Sequence, residues 1–340
     1  MKRFLVLALL LPAACAAGQQ AQVRPSGPPP EPPAALRPFV GDYAAGADTF
    51  SVLEDSGRLR LLRWHGEGRM LASATDGTFE VAASARGPAS TLAFHRGADG
   101  RVTGLALDGR VLERLRFGPE DGTSFRITPV RPPEELAREA LAATPPREEG
   151  DFLPPDLVEI VTLDPSIRLD VRYATSNNFM GRPFYSEPRA FLQRPAAEAV
   201  ARAHAWLKER GYGLLIHDGY RPWYVTKMFW DATPEALKVF VANPAQGSRH
   251  NRGCAVDLTL YELASGAPVV MTGGYDEMSP RSYPDYAGGT ARQRWLRALL
   301  RQAMEAQGFT VYEAEWWHFD YGDWRRYRVG NERFDEIGGR

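Results

Sequence analysis

Two textures divide the chain. Between residues 36 and 130, short runs alternate apolar and polar positions: TFSVLE, RLRLLRW, TFEVAA, STLAFHR, VTGLALDG and LERLRF. A period of two is that of a strand with one face covered. The runs are separated by Asp55-Ser56-Gly57, Asp76-Gly77, Asp99-Gly100 and Asp108-Gly109. Such pairs suit tight hairpins. The pattern predicts about six strands in a small antiparallel all-β domain, a sheet or a barrel.

From residue 154 to 340 helical and strand periods interleave. PAAEAVARAHAWLKERG reads as a helix with Pro195 near its start and Gly211 beyond its end. ARQRWLRALLRQAMEAQG is a second helix, ended by Gly308. TPEALKVFVANP is expected to be a short helix with Thr233 as N-cap and Pro234 at its first position. IRLDVRYA, YGLLIHDGYRP, CAVDLTLYEL and FTVYEAEWWHFDY read as strands. This mixture predicts an α+β domain.

The segments outside these two domains have their own character. Residues 1–18 have a basic start, an apolar run from Phe4 to Leu11 and small residues after it, the layout of a secretory signal. LPAAC resembles a lipoprotein cleavage box, so Cys15 is either a lipidated N-terminus or part of a simple signal. Both readings predict export, to the periplasm or to a membrane anchor. Residues 19–35 are rich in Gln, Pro and Ala, an extended tether. Residues 131–153 form a second linker, in which PPEELAREALAATPP carries a short helix. With Cys15 processed, Cys254 is left without a disulfide partner and reads as a small buried apolar residue. The formal net charge of -1 argues against a nucleic-acid partner.

Chemistry-bearing residues cluster in the second domain. In SRHNRGCAVD, Asp257 shares a strand face with Ala255 and Thr259, among apolar neighbours, and His250 lies one loop earlier. A half-buried carboxylate needs a partner. EWWH adds Glu315 and His318, three apart, which a plain strand would send to opposite faces, so a bulge or turn is required if both act. Two imidazoles and one carboxylate with an open position are the plan of a catalytic zinc site. Glu315 can then take a proton from the metal-activated water, and Arg221 of HDGYRP can face an oxyanion. His65, His95, His204 and His217 read as structural, and Asp218 as the cap of its own turn.

These motifs resemble a known family. Ser248, His250, Gly253, Ala255 and Asp257 with EWWH and DGYRP fit zinc D,D-peptidases. DVRYATSNNFMG resembles the early segment of D-alanyl-D-alanine dipeptidases of the vancomycin-resistance type, peptidase family M15. The resemblance covers residues 154–335 and implies a hedgehog/D,D-peptidase-like α+β domain. It implies one Zn2+ per subunit on His250, Asp257 and His318, Glu315 as base and Arg221 as transition-state stabiliser. It also implies a small D-amino-acid dipeptide as substrate, with Ser248 and Asp276 as contacts for its amino end. A D,D-carboxypeptidase or endopeptidase acting on peptidoglycan stems is the alternative enzyme. A non-catalytic cell-wall-binding lipoprotein is the alternative of another class. The β domain is a departure from the simplest members of the family, and its partner is left open.

Overall fold

The computed structural model describes residues 27–64, 68–73, 78–84, 87–117 and 124–337. The export signal with Cys15, the Asp76-Gly77 turn and His65 lie outside the described residues.

The N-terminal strands close a barrel. They are β1 (Gly41–Ala45), β2 (Asp48–Asp55), β3 (Arg58–Arg63), β4 (Gly68–Ser73), β5 (Thr78–Val81), β6 (Ser90–Arg96), β7 (Val102–Leu107) and β8 (Arg110–Arg114). Each pairs with the next, and β8 returns to β1 through Tyr43–Arg114 and Ala44–Glu113. Eight strands replace the six or so expected. The additional two, GDYAA and GRMLAS, are rich in Gly, Ala and Ser and carry too little alternation to show in the sequence. Two-residue turns set the register: Ser56-Gly57 and Asp108-Gly109 both adopt positive φ at both positions, the twist that tight hairpins need. Tyr43, Val52, Leu61, Val81, Leu92 and Leu105 point inward and fill the barrel. An interior of side chains leaves no through-channel at this strand number.

The linker helix α1 (Pro133–Ala142) packs against α3 (Trp223–Ala232) of the second domain. That domain is built on a five-stranded mixed sheet in the order β10 (Arg168–Leu169), β12 (Tyr212–Asp218), β13 (Ala255–Glu262), β15 (Glu315–Tyr321), β14 (Phe309–Tyr312). Only β10 and β12 run parallel. A separate hairpin joins β9 (Leu157–Glu159) to β11 (Phe191–Gln193). Helices α2 (Arg194–Lys208) and α4 (Ala291–Glu305) cover one face of the sheet. Val200, Ala203 and Leu207 of α2 and Leu299, Leu300 and Met304 of α4 meet Leu214, Ile216, Val256 and Leu258 in one core. Burying a side chain of this size is worth about 1.5–3 kcal/mol. The opposite face carries Asp257 and Thr259, as alternation along β13 requires.

Several local expectations are corrected. Glu235–Phe240 is a 3-10 helix, not an α-helix. Thr233 does not cap it: its hydroxyl donates to the Phe229 carbonyl and closes α3 instead. IRLDVRYA yields two strand residues and then a 3-10 turn, Arg172–Ala174. FTVYEAEWWHFDY is a hairpin, β14 and β15, rather than one strand. Helix α3 was not read from the sequence: it carries Lys227 and Asp231, paired at i and i+4 on its outer side, but it has only ten residues and no side-chain cap to mark its start.

Candidate active site

Three neighbouring strands bring chemistry to one level of the sheet. Asp257 of β13 lies directly opposite Asp218 of β12 on one side and His318 of β15 on the other. His250 enters from a 3-10 turn, His250–Arg252, just before β13. Gly253 ends that turn at φ +65°, and a Cβ there would stand 2.6 Å from a methyl of Leu157. Glycine at this position lets the chain turn from His250 into β13.

The two imidazoles are held by their far nitrogens. His250 Nδ1 is 2.7 Å from the Gly219 carbonyl, which can only accept, so Nδ1 carries the proton and Nε2 presents a lone pair. His318 Nε2 lies 2.9 Å from Asp320 Oδ1, leaving Nδ1 to face the site. His250 Nε2 and His318 Nδ1 are 3.1 Å apart and lie 3.3 and 3.0 Å from Asp257 Oδ1. The second oxygen of Asp257 accepts from the Tyr275 hydroxyl at 3.1 Å.

Glu315 stands at the start of β15, beside a bulge where Tyr312 pairs with Glu315 out of step with Val311–Phe319. The bulge supplies the irregularity that an offset of three needs, and Glu315 Oε2 comes 3.7 Å from His318 Nδ1. Burial, opposed by His318 and reinforced by Asp257, pushes the Glu315 carboxyl up to about 8. Arg221 crosses the floor with 8% exposure. Its guanidinium donates to Asp218 through Nε at 2.9 Å and lies 3.6 Å from Asp257. The rings of Tyr173 and Phe229 flank it, each with its centroid 5.1 Å away. Asp218 therefore does not cap its own turn: it is fully buried and also accepts from Tyr185 at 2.8 Å.

Across the cavity stands Asp276, at φ +56°. The Tyr173 hydroxyl lies 3.1 and 3.0 Å from its two carboxylate oxygens. Burial, then Asp257 and Glu315, raise its carboxyl well above the usual range. Among the described residues no cation forms an ion pair with it. Ser248 lines the same cavity, and its hydroxyl accepts from the His250 amide. The cavity holds about 90 Å³ and is walled by Val239–Ala242, Tyr312 and Trp317.

A family model described as D-ala-D-ala dipeptidase, Peptidase_M15, matches residues 155–336. The chain belongs to this family. Proteins named D-alanyl-D-alanine dipeptidase are similar to it. That of Escherichia coli is 33% identical over 165 residues, 48% of this chain and 84% of the relative. That of Enterococcus faecium is 36% identical over 174 residues, 45% of this chain and 85% of the relative. That of Streptomyces coelicolor is 36% identical over 188 residues, 50% of this chain and 91% of the relative. The barrel lies outside the family match.

In this M15 peptidase, His250, Asp257 and His318 form a candidate metal site by geometry alone. Tetrahedral zinc with bonds of about 2.0–2.2 Å sets its ligands about 3.3–3.5 Å apart. The three donor atoms stand only slightly closer. Asp257 Oδ1 is buried and faces only the two imidazole nitrogens, a donor set that fits a divalent cation. Burial disfavours charge on His318, yet Asp320 and Asp257 outweigh it and raise its pKa to about 10. The same negative surroundings favour a divalent ion at that position.

All seven residues singled out in the sequence meet around this one cavity. Three partners were not assigned a role from sequence, Tyr173, Tyr275 and Asp320, and Asp218 was read only as a turn cap. Asp320 had a signal, since it follows His318 by two on a strand and so shares its face. Tyr275 had none: it reaches Asp257 from a long loop. His217 is structural, stacked on Tyr275 with centroids 4.5 Å apart. Cys254 is buried as expected, and burial pushes its thiol up to about 12.

Proposed function

We propose that the chain is a zinc-type metallopeptidase that hydrolyses D-Ala-D-Ala to two D-alanines. Its second domain is assigned to the hedgehog/D,D-peptidase-like class, on the mixed sheet with both helices on one face. Family membership supports the substrate. The observation that carries the reading is the pairing, in one small cavity, of the His-Asp-His cluster with an opposed carboxylate, Asp276, that has no ion-pair partner among the described residues. A free ammonium group would supply that cation. A long peptidoglycan stem with a blocked amino end would not, so the carboxypeptidase reading is less favoured. The binding-protein reading leaves Glu315 without a purpose.

The roles follow from position. A divalent ion held by His250, Asp257 and His318 supplies a Lewis acid and acidifies water. Glu315, in reach of the same space, accepts the proton of the attacking water and passes it to the leaving amine. Arg221 donates to the oxygen that becomes negative, held for this by Asp218 and its two aromatic neighbours. Asp276, with Tyr173 and Ser248, binds the ammonium end and so places the scissile carbonyl. We further propose that the enzyme is exported, anchored or periplasmic, and meets D-Ala-D-Ala released from peptidoglycan.

The test is hydrolysis of D-Ala-D-Ala beside its N-acetylated form, by metal-loaded protein. Cleavage of the free dipeptide alone is expected. Cleavage of both forms, or of the blocked form alone, would move the protein to the carboxypeptidase class. Glu315→Gln should keep bound metal and lose nearly all turnover; substantial residual hydrolysis would remove Glu315 as base.

A further inference from the structure

The barrel has an outer patch that the second domain covers. Asp42 and Ser51 lie opposite each other on β1 and β2. Tyr43 and Val52 point inward, so alternation sends Asp42 and Ser51 outward. They are nevertheless 2% and 1% exposed. Acidic and hydroxyl groups on the outside of an isolated barrel face water, so their burial marks a contact surface.

What covers them is the loop from Val270 to Thr290, which joins β13 to α4. The Tyr286 hydroxyl lies 2.8 Å from each oxygen of Asp42. Glu54 of β2 donates its amide to the Gly289 carbonyl at 3.1 Å. Its carboxylate accepts the Ala291 amide, at the start of α4, at 3.1 Å. Phe117, on the segment leaving the barrel, lies under the Arg281 guanidinium, 5.1 Å from its centre. The barrel thus grips the loop at its end and at its middle.

The grip leads to the active site. Arg281 makes two 2.7 Å bonds to Glu277, one to each oxygen. Glu277 also accepts the Gly274 amide at 2.9 Å. Asp276 sits inside the turn that these bonds close, in a left-handed backbone conformation. A non-glycine residue rarely adopts this conformation, and it persists only when its surroundings over-determine it. Arg297 of α4 ties the two limbs of the loop together, through Thr272 Oγ1 at 3.0 Å and the Tyr286 carbonyl at 2.8 Å.

We infer that the barrel is a brace for the substrate loop: Asp42, Glu54 and Phe117 fix Tyr286 and Arg281, and through Glu277 they hold Asp276 against the amino end of the substrate. Asp42 and Tyr286 are positioning residues, since neither touches the cavity. The functional half of the inference rests on the dipeptidase reading, in which Asp276 meets an ammonium group. The mechanical half does not.

The experiment uses the full chain with Tyr286→Phe, Asp42→Ala and Asp42→Asn. Hydrogen exchange is followed over residues 273–279, alongside steady-state kinetics on D-Ala-D-Ala, bound metal and thermal melting. Losing one hydrogen bond to a charged group predicts amide exchange about tenfold faster and a KM about tenfold higher. The kcat and the metal content should stay unchanged. Asp42→Asn keeps an acceptor for Tyr286 and should restore most of both. A purely structural contact would lower the melting point and leave KM alone, which overturns the inference. Unchanged exchange at 273–279 in Tyr286→Phe overturns it whatever the protein cleaves. Coupled exchange in a wild-type protein that leaves the dipeptide intact supports the brace and overturns the dipeptidase reading instead.

Discussion

Asp218→Ala tests how the cationic side of the site is held. Asp218 is fully buried and gives its carboxylate to Arg221, at 2.9 and 2.8 Å, and to Tyr185 at 2.8 Å. Removing it leaves Arg221 buried with only Asp257 nearby, at 3.6 Å, a carboxylate that a bound ion would claim. Breaking one partner of a buried pair costs about 3–5 kcal/mol. The lower end applies here, about 3 kcal/mol. Burial and Asp257 keep the Asp218 carboxyl above its usual range even beside the guanidinium, so desolvation already consumes part of the attraction. Domains of this size lose about 2–4 °C of melting temperature per kcal/mol, which predicts a drop of about 6–12 °C. The freed Arg221 should also miss the oxyanion, lowering kcat about 10²–10³-fold. Asp218→Asn, which keeps one acceptor and removes the charge, separates the two effects. It should recover part of the orientation and little of the counter-charge. Thermal melts and kcat on the metal-loaded protein read both. A melting point within 2 °C of wild type in Asp218→Ala, with kcat intact, would refute Asp218 as the partner that aims Arg221.

Other residues give separate tests. Burial, opposed by Asp164 and reinforced by Lys208, holds the His204 ring neutral, at about 4 against an ordinary 6.5, while its Nδ1 accepts the Leu214 amide at 3.0 Å and its Nε2 lies 2.9 Å from Ser166. A depressed histidine stabilises fully above pH 6.5, and that stability is lost as pH falls from 6.5 to 4. About 3 kcal/mol should disappear across this window, and His204→Gln should flatten that part of a urea-denaturation pH series. Asp276→Asn should raise KM for the free dipeptide far more than it lowers kcat; equal kinetics for free and N-acetylated substrate in the wild type would contradict its role. Gly253→Ala, at φ +65° with a methyl of Leu157 2.6 Å from the added carbon, should cost about 1–3 kcal/mol and weaken metal binding with it, read by chelator competition. Asp320→Asn should weaken metal about 10–100-fold by loosening His318, with zinc retention against a chelator as the measure.

Much of the site was legible because its members sit on short segments with strong local character. His250, Gly253 and Asp257 come from one ten-residue stretch, and Glu315 and His318 from one strand. Alternation correctly put Asp257 opposite the helix-packed face, and the need for an irregularity at Glu315 was visible as a conflict between spacing and strand period. The helices α2 and α4 carry their own signals, Pro195 and Gly211 in one and Gly308 in the other, and the structure adds Thr290 as the cap of α4. Helix α3 and strands β1 and β4 were missed for the opposite reason. A ten-residue helix without a side-chain cap offers too short a period to read, and Gly- and Ala-rich strands show no contrast between faces.

The sequence by itself determined most of the strands and the two long helices, the division into an all-β and an α+β domain, and the candidates for metal binding and proton transfer. These depend on interactions between residues close along the chain and on the chemistry of single side chains. Only the tertiary structure decided that Asp218 serves Arg221 rather than its own turn, that Tyr275 reaches Asp257, and that the barrel holds the loop carrying Asp276. Each of these joins residues whose separation along the chain bears no relation to their contact, from 3 residues for Asp218 to 244 for Asp42 and Tyr286. A buried charge accepts whichever partner the packing of the sheet and loops brings within about 3 Å, and no local pattern encodes that choice.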